Sequence, residues 1–376
     1  MQTELTQVSD NQYHLIASRS LSPRMAAKHL KEGNLELRKF PDVLLEMYIG
    51  DDLMLRLIQA FQEDTPEANP RSVSKKIQNW LNGKSYPQKR EDIFHIGFAL
   101  RLTVPQVNTL LGYCTDYGIH YRESADVVYS WFLQNGKTFF EAQHFLKSLP
   151  PIPVREQLIY CTSSSNVTQE LRDVFRLVHT EEDLRACYLS NMPLMGHLHF
   201  RAYYHFQKYL DLLIHPDAAW GGMKEPDYSI EAVMEQYLTM NMPATRSRGS
   251  LTVIQKLLKQ NWPSATSLKN IRLRKEDVPR KLLLLLYVVT ENALGDEYDE
   301  LDEEYVTPED RLEDHWLTLN VILADCGMPP LDLRNATDWL IFYALAADDE
   351  PMSQRMEQVI EYMFADEQNE NDNILL

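Results

Sequence analysis

Cysteine is scarce in this 376-residue chain, and its four copies, Cys114, Cys161, Cys187 and Cys326, lie far apart with no CxxC among them. That spacing excludes a zinc ribbon and a dense disulfide framework, and fits free thiols in a reducing compartment. Long apolar runs are missing too: the longest, Leu282 to Val289, is eight residues. A membrane-spanning helix needs about 20 such residues. Met1 to Ser20 has no apolar core of the kind that marks a secretory signal, so the expectation is a cytoplasmic protein. No stretch alternates apolar and polar residues long enough to build a sheet, and the fold class predicted is all-α.

Other absences narrow the chemistry. Gly83-Lys84-Ser85 and Gly136-Lys137-Thr138 echo the end of a phosphate-binding loop. That loop needs a glycine five residues before its Gly-Lys, and Gln78 and Trp131 stand there instead. His197, His199 and His205 have no neighbouring cysteine or carboxylate until Asp211, so no metal is expected. Ser163 to Ser165 lack a nucleophile elbow and read as a loop. No carboxylate pair is discernible as an acid and base. The chain therefore reads as a non-enzyme with no cofactor.

What is present is charge, unevenly spread. The formal net charge is −18, with 44% apolar and 24% charged residues. Within that acidic background, Arg71 to Arg90 carries six cations (Arg71, Lys75, Lys76, Lys84, Lys89, Arg90) and no acid. Val73, Ile77, Trp80 and Leu81 recur at helical spacing, so a short helix here turns Arg71, Lys75, Gln78, Asn79 and Asn82 outward. Gly83 is the expected stop, and Pro87 the expected opening of the next helix. A second basic region, Arg246 to Lys281, holds ten cations against Glu276 and Asp277. Seven carboxylates follow between Asp296 and Glu304, read as a solvated loop.

Helix-start signatures mark the rest. Thr103 with Gln106, Thr138 with Glu141 and Asn166 with Gln169 have capping-box spacing, and Thr180 with Asp183 approximates it. Helices are expected along Leu53 to Phe61, Leu198 to Leu213, Leu312 to Leu323 and Met356 to Phe364, with a loop at Trp220 to Pro226. Pro150 to Pro153 is the best candidate boundary. The division predicted is an arm over 1–40 with one helix near Pro23 to Leu30; a domain over 41–150; a helical middle over 151–245; a further helical domain over 246–365 containing the acidic loop 296–306; and a tail over 366–376.

Two segments repeat a pattern: Leu111, Cys114, Arg122 and Asp126, then Leu323, Cys326, Arg334 and Asp338. Pro87-Gln-Lys-Arg and Pro279-Arg-Lys precede apolar helices in both halves. A duplicated helical unit and a chance match both fit. The Arg and Asp pairs read as salt bridges or helix-start caps that fix a turn.

Ile77-x-x-Trp80-x-x-Gly83-Lys84-x-x-Pro87, followed by Ile93, Ile96, Ala99 and Leu100, resembles the second half of a lambda-repressor-like, XRE-type helix-turn-helix domain. The resemblance spans roughly residues 44 to 112. It implies that Lys75, Lys76, Gln78 and Asn79 face double-stranded DNA, with Asn82 and Lys84 at the turn beside phosphates. It also places the preceding helix around residues 62 to 70, where Pro66 and Pro70 require that helix to be shortened or displaced. The function expected is a DNA-binding regulator whose helical remainder self-associates, binds a protein or receives a signal. The competing expectation is a helical adaptor that binds proteins and no nucleic acid.

Overall fold

The structure is a computed structural model that describes residues 7–64, 69–153, 167–214, 230–243, 251–260, 262–294, 307–347 and 350–365. Among these, nineteen α-helices and no strand are found, which makes the protein all-α. No described helix is long and apolar enough to cross a membrane. Cys161, Ser163 to Ser165, Asn166, the loop 220–226, Arg246, Arg248, the acidic loop and the tail lie outside the described residues.

The chain forms two compact units, each discontinuous in sequence: residues 38–201 with 323–329, and residues 1–37 with 202–322 and 330–376. The larger continuous piece, 38–201, holds α3 (Phe40–Leu45), α4 (Leu53–Asp64), α5 (Pro70–Leu81), α6 (Arg90–Leu100), α7 (Val104–Thr115), α8 (Ser124–Gln134), α9 (Phe139–Ser148), α10 (Val167–Arg176) and α11 (Glu181–Asn191). Helix α6 lies at its centre, against α4, α7 and α8, and its Ile93, Phe94, Ile96 and Leu100 are buried. Thr103 and Gln106 form the predicted capping box, with the Thr103 amide donating to Gln106 Oε1 at 2.8 Å. Thr138 and Glu141 form another, and Thr180 caps α11 by accepting from the Asp183 amide. Residues 323–329 complete this unit: the Gly118 amide donates to the Gly327 carbonyl at 3.0 Å, and a Cβ on Gly112 would stand 3.3 Å from Pro329.

The other unit contains α1 (Gln7–Ala17), α2 (Pro23–Lys31), α12 (Phe200–Ile214, from Ala202 on), α13 (Ile230–Val233), α14 (Val253–Lys259), α15 (Ala265–Arg272), α16 (Arg280–Leu294), most of α17 (Pro308–Asp325), α18 (Ala336–Leu345) and α19 (Met352–Phe364). All ten residues of α18 are buried, eight of them apolar and the other two Thr337 and Asp338. The run Leu282 to Val288 in α16 is buried as well. Residues 7–37, within the stretch 1–40 expected as an arm, are part of this unit. Helix α2 packs on α19, Tyr343 Oη donates to the Leu21 carbonyl at 2.9 Å, and Trp339 Nε1 donates to Gln12 Oε1 at 2.8 Å. The physical reason is burial: Ala26, Ala27 and Leu30 make one apolar face that nothing local can cover.

Candidate nucleic-acid interface

Helix α5 is fixed at both ends by its own sequence. Asn69 accepts the Arg71 amide on its side chain at 2.9 Å, and Pro70 occupies the first helical position, where its missing N–H costs nothing. At the other end Gly83 adopts φ +65°, its amide donates to the Trp80 carbonyl at 3.0 Å, and the Lys84 amide to that of Asn79 at 2.9 Å. These two bonds make a Schellman stop, which needs a left-handed residue at Gly83. Val73, Ile77 and Trp80 are buried beneath. The preceding helix α4 ends at Asp64, ahead of both prolines, so the helix expected at 62–70 is displaced towards the N-terminus. The next helix begins at Arg90 rather than Pro87, because residues 85–89 continue without helical structure and Lys89 is extended.

The outward face carries most of the side chains the sequence assigned to it. Arg71, Lys75, Gln78, Asn82, Lys84 and Lys89 are exposed, and Asn79 is half-buried. Lys76 is exposed but committed: its Nζ sits 2.8 Å from Asp92 Oδ1 and 4.8 Å from the centre of the Trp80 ring. Asp92 is not legible as a partner in the sequence, because it belongs to the following helix, where an acid in the first turn is ordinary.

Arg90 is withdrawn from the basic face altogether. Its guanidinium binds both oxygens of the buried Asp126, Thr115 Oγ1 at 2.9 Å, and the carbonyls of Tyr117 at 3.1 Å and Gly118 at 2.6 Å. Asp126 also accepts the His120 amide at 2.8 Å. The expected partner of Asp126, Arg122, points elsewhere: its Nε donates to the Leu194 carbonyl at 2.8 Å and its guanidinium lies 4.4 Å from the centre of the Phe200 ring. The same exchange occurs in the other unit. Arg280 binds both oxygens of Asp338 at 2.6 and 2.9 Å, while Arg334 reaches Glu36 at 3.3 Å. In both cases the partner is an arginine within three residues after the proline, at the start of an apolar helix.

The remaining sequence candidates engage neighbouring side chains. Lys137 of the second Gly-Lys triplet is paired with Glu181 at 2.5 Å. Among the described residues no three potential metal ligands come together. His199 instead stacks between Tyr117 and His120, with ring centres 3.7 and 3.9 Å apart. Burial, with the neighbouring His199 and the guanidinium groups of Arg90 and Arg122 acting in the same direction, holds the His120 imidazole well below its ordinary range. His95, 2.7 Å from Asp64, is sandwiched between Phe61 and Phe139 and ties α6 to the end of α4. Comparison with known protein families, with curated proteins and with solved structures finds no match.

Proposed function

We propose that residues 38–201 contain a helix-turn-helix-like module that contacts duplex DNA through the outward side of α5, in a cytoplasmic regulatory protein. The observation that carries this reading is the exposed set Arg71, Lys75 and Gln78 on a helix capped at both ends, with Asn82, Lys84 and Lys89 exposed in the turn and segment that follow it, in a chain of net charge −18. Lysines meet phosphates without reading sequence, whereas Gln and Asn can pair with both adenine positions in the major groove. The acidic remainder repels a polyanion, so contact is restricted to locally basic faces such as this one. The other unit would supply self-association, a protein partner or signal input.

With four cations neutralising phosphates, log affinity falls against log salt with a slope of roughly −3.5. Fluorescence anisotropy on a labelled mixed-sequence duplex checks this. Lys75→Glu with Lys84→Glu abolishes binding and leaves helical circular dichroism unchanged. Failure of the unaltered protein to bind any duplex at about 50 mM salt overturns the proposal. The adaptor reading then takes over, favoured by the exposed apolar side chains Leu45, Ile49 and Leu55 on and between α3 and α4.

A further inference from the structure

The turn that ends α5 has a counterpart in the other unit. At the end of α15 the Arg274 amide donates to the Ile271 carbonyl and the Lys275 amide to that of Asn270, both at 2.9 Å. Those are the bonds made by Gly83 and Lys84, and Arg274 adopts φ +55° where Gly83 adopts +65°. An arginine rarely takes that conformation. Here its guanidinium lies 4.3 Å from the centre of the Tyr203 ring, and Tyr203 Oη holds the Arg272 carbonyl at 2.8 Å.

Burial follows the same register. Ile77, Trp80 and Pro87 are buried, as are Leu268, Ile271 and Val278; Gln78, Asn82 and Lys84 are exposed, as are Lys269, Leu273 and Lys275. The agreement continues downstream. Arg90 and Arg280 are each gripped by a buried aspartate that also accepts the backbone amide six residues before it, His120 in one unit and Asp332 in the other. Asn108 accepts the Ile119 amide and Asn320 the Leu331 amide, both at 2.8 Å across eleven residues. A chance four-residue match would not reproduce a turn, a clamp and a loop anchor in one order.

We infer that α15 is a second DNA-contact helix, so that a single chain offers two sites of one class to duplex DNA. This inference rests on the reading proposed for α5. In it, Lys269 and Asn270 take the places of Gln78 and Asn79, and Lys275 that of Lys84. Lys269 pairs with Glu231 at 3.1 Å, but both side chains are about three-fifths exposed, at 61% and 59%. Asn270 donates to Glu276, itself exposed. Pairs so solvated are weak, and a phosphate can displace the carboxylate.

Sedimentation-velocity titration of the full chain with a labelled duplex of about one helical turn (roughly 10 base pairs) tests this at low salt. The unaltered protein binds two duplexes per chain. Lys269→Glu with Lys275→Glu reduces this to one, and so does Lys75→Glu with Lys84→Glu. The neutral pair Lys269→Gln with Lys275→Gln gives the same loss, which separates lost contact from added repulsion. One duplex per chain, lost with Lys75 and Lys84 and indifferent to Lys269 and Lys275, overturns the second site and leaves the first standing. No duplex bound, or binding indifferent to both pairs, overturns both.

Discussion

Asp338 is the residue at which the two-oxygen clamp can be measured best. Its side chain is almost fully buried and accepts three hydrogen bonds, two from Arg280 and one, at 2.8 Å, from the Asp332 amide. Asp338→Asn preserves shape but removes the charge opposing a buried guanidinium, and turns one acceptor into a donor facing other donors. Breaking one side of a buried ion pair costs about 3–5 kcal/mol. At about 2–4 °C per kcal/mol for a unit of this size, the melting temperature falls by roughly 6–20 °C. Asp126→Asn should cost less, because the Arg90 side chain is 28% exposed against 8% for Arg280 and water can replace part of the lost partner. Thermal melts by circular dichroism, with calorimetry to resolve the units, give both numbers. Adding Arg280→Met to Asp338→Asn removes the stranded charge and should recover most of the loss. A melt of Asp338→Asn within a degree of the unaltered protein, or a larger drop for Asp126→Asn, refutes this account of the clamp.

Three further outcomes are expected. His120 is held below its ordinary pKa, so the folded state binds fewer protons than the unfolded chain as pH drops below about 6.5; stability therefore falls with acidification, by at most about 1.4 kcal/mol per pH unit for one proton. His29 shifts the same way through burial, so denaturant titrations of His120→Gln, which flattens only the His120 contribution, isolate it. Burial pushes the Cys114 thiol up to about 12, and the native protein should alkylate there far more slowly near pH 8 than after denaturation, as peptide mass mapping would show. Asp92→Asn releases Lys76 to the α5 face and should steepen the salt dependence of duplex binding by about 0.9; an unchanged slope shows that Lys76 does not reach phosphate.

What could be read in the sequence was whatever depends on neighbours within one helical turn. Thr103 and Thr138 reach groups three residues away, and Gly83 is dictated by a stop that closes over five residues, so these positions are legible without any knowledge of packing. The helical stripe of Val73, Ile77 and Trp80 is legible for the same reason. The aspartate clamps are not legible in the sequence, because Arg122 and Arg334 stand four residues before Asp126 and Asp338, the spacing of a helix pair, whereas the true partners lie 36 and 58 residues upstream. The fate of Lys76 was equally hidden, since Asp92 reaches it from another helix. Residues 1–37 have weak periodicity on their own, and their meaning comes from helices more than 300 residues later.

That last pairing dictates an order of events during synthesis. Gln12, Leu21 and the apolar side of α2 cannot be covered until Trp339, Tyr343 and α19 have left the ribosome, so the leading helices must travel uncovered while over three hundred residues are translated. Contacts of such long sequence separation form slowly. Nearly all of the 38–201 piece, by contrast, is available early. Translation arrested before α18 would therefore leave α2 without most of its native packing.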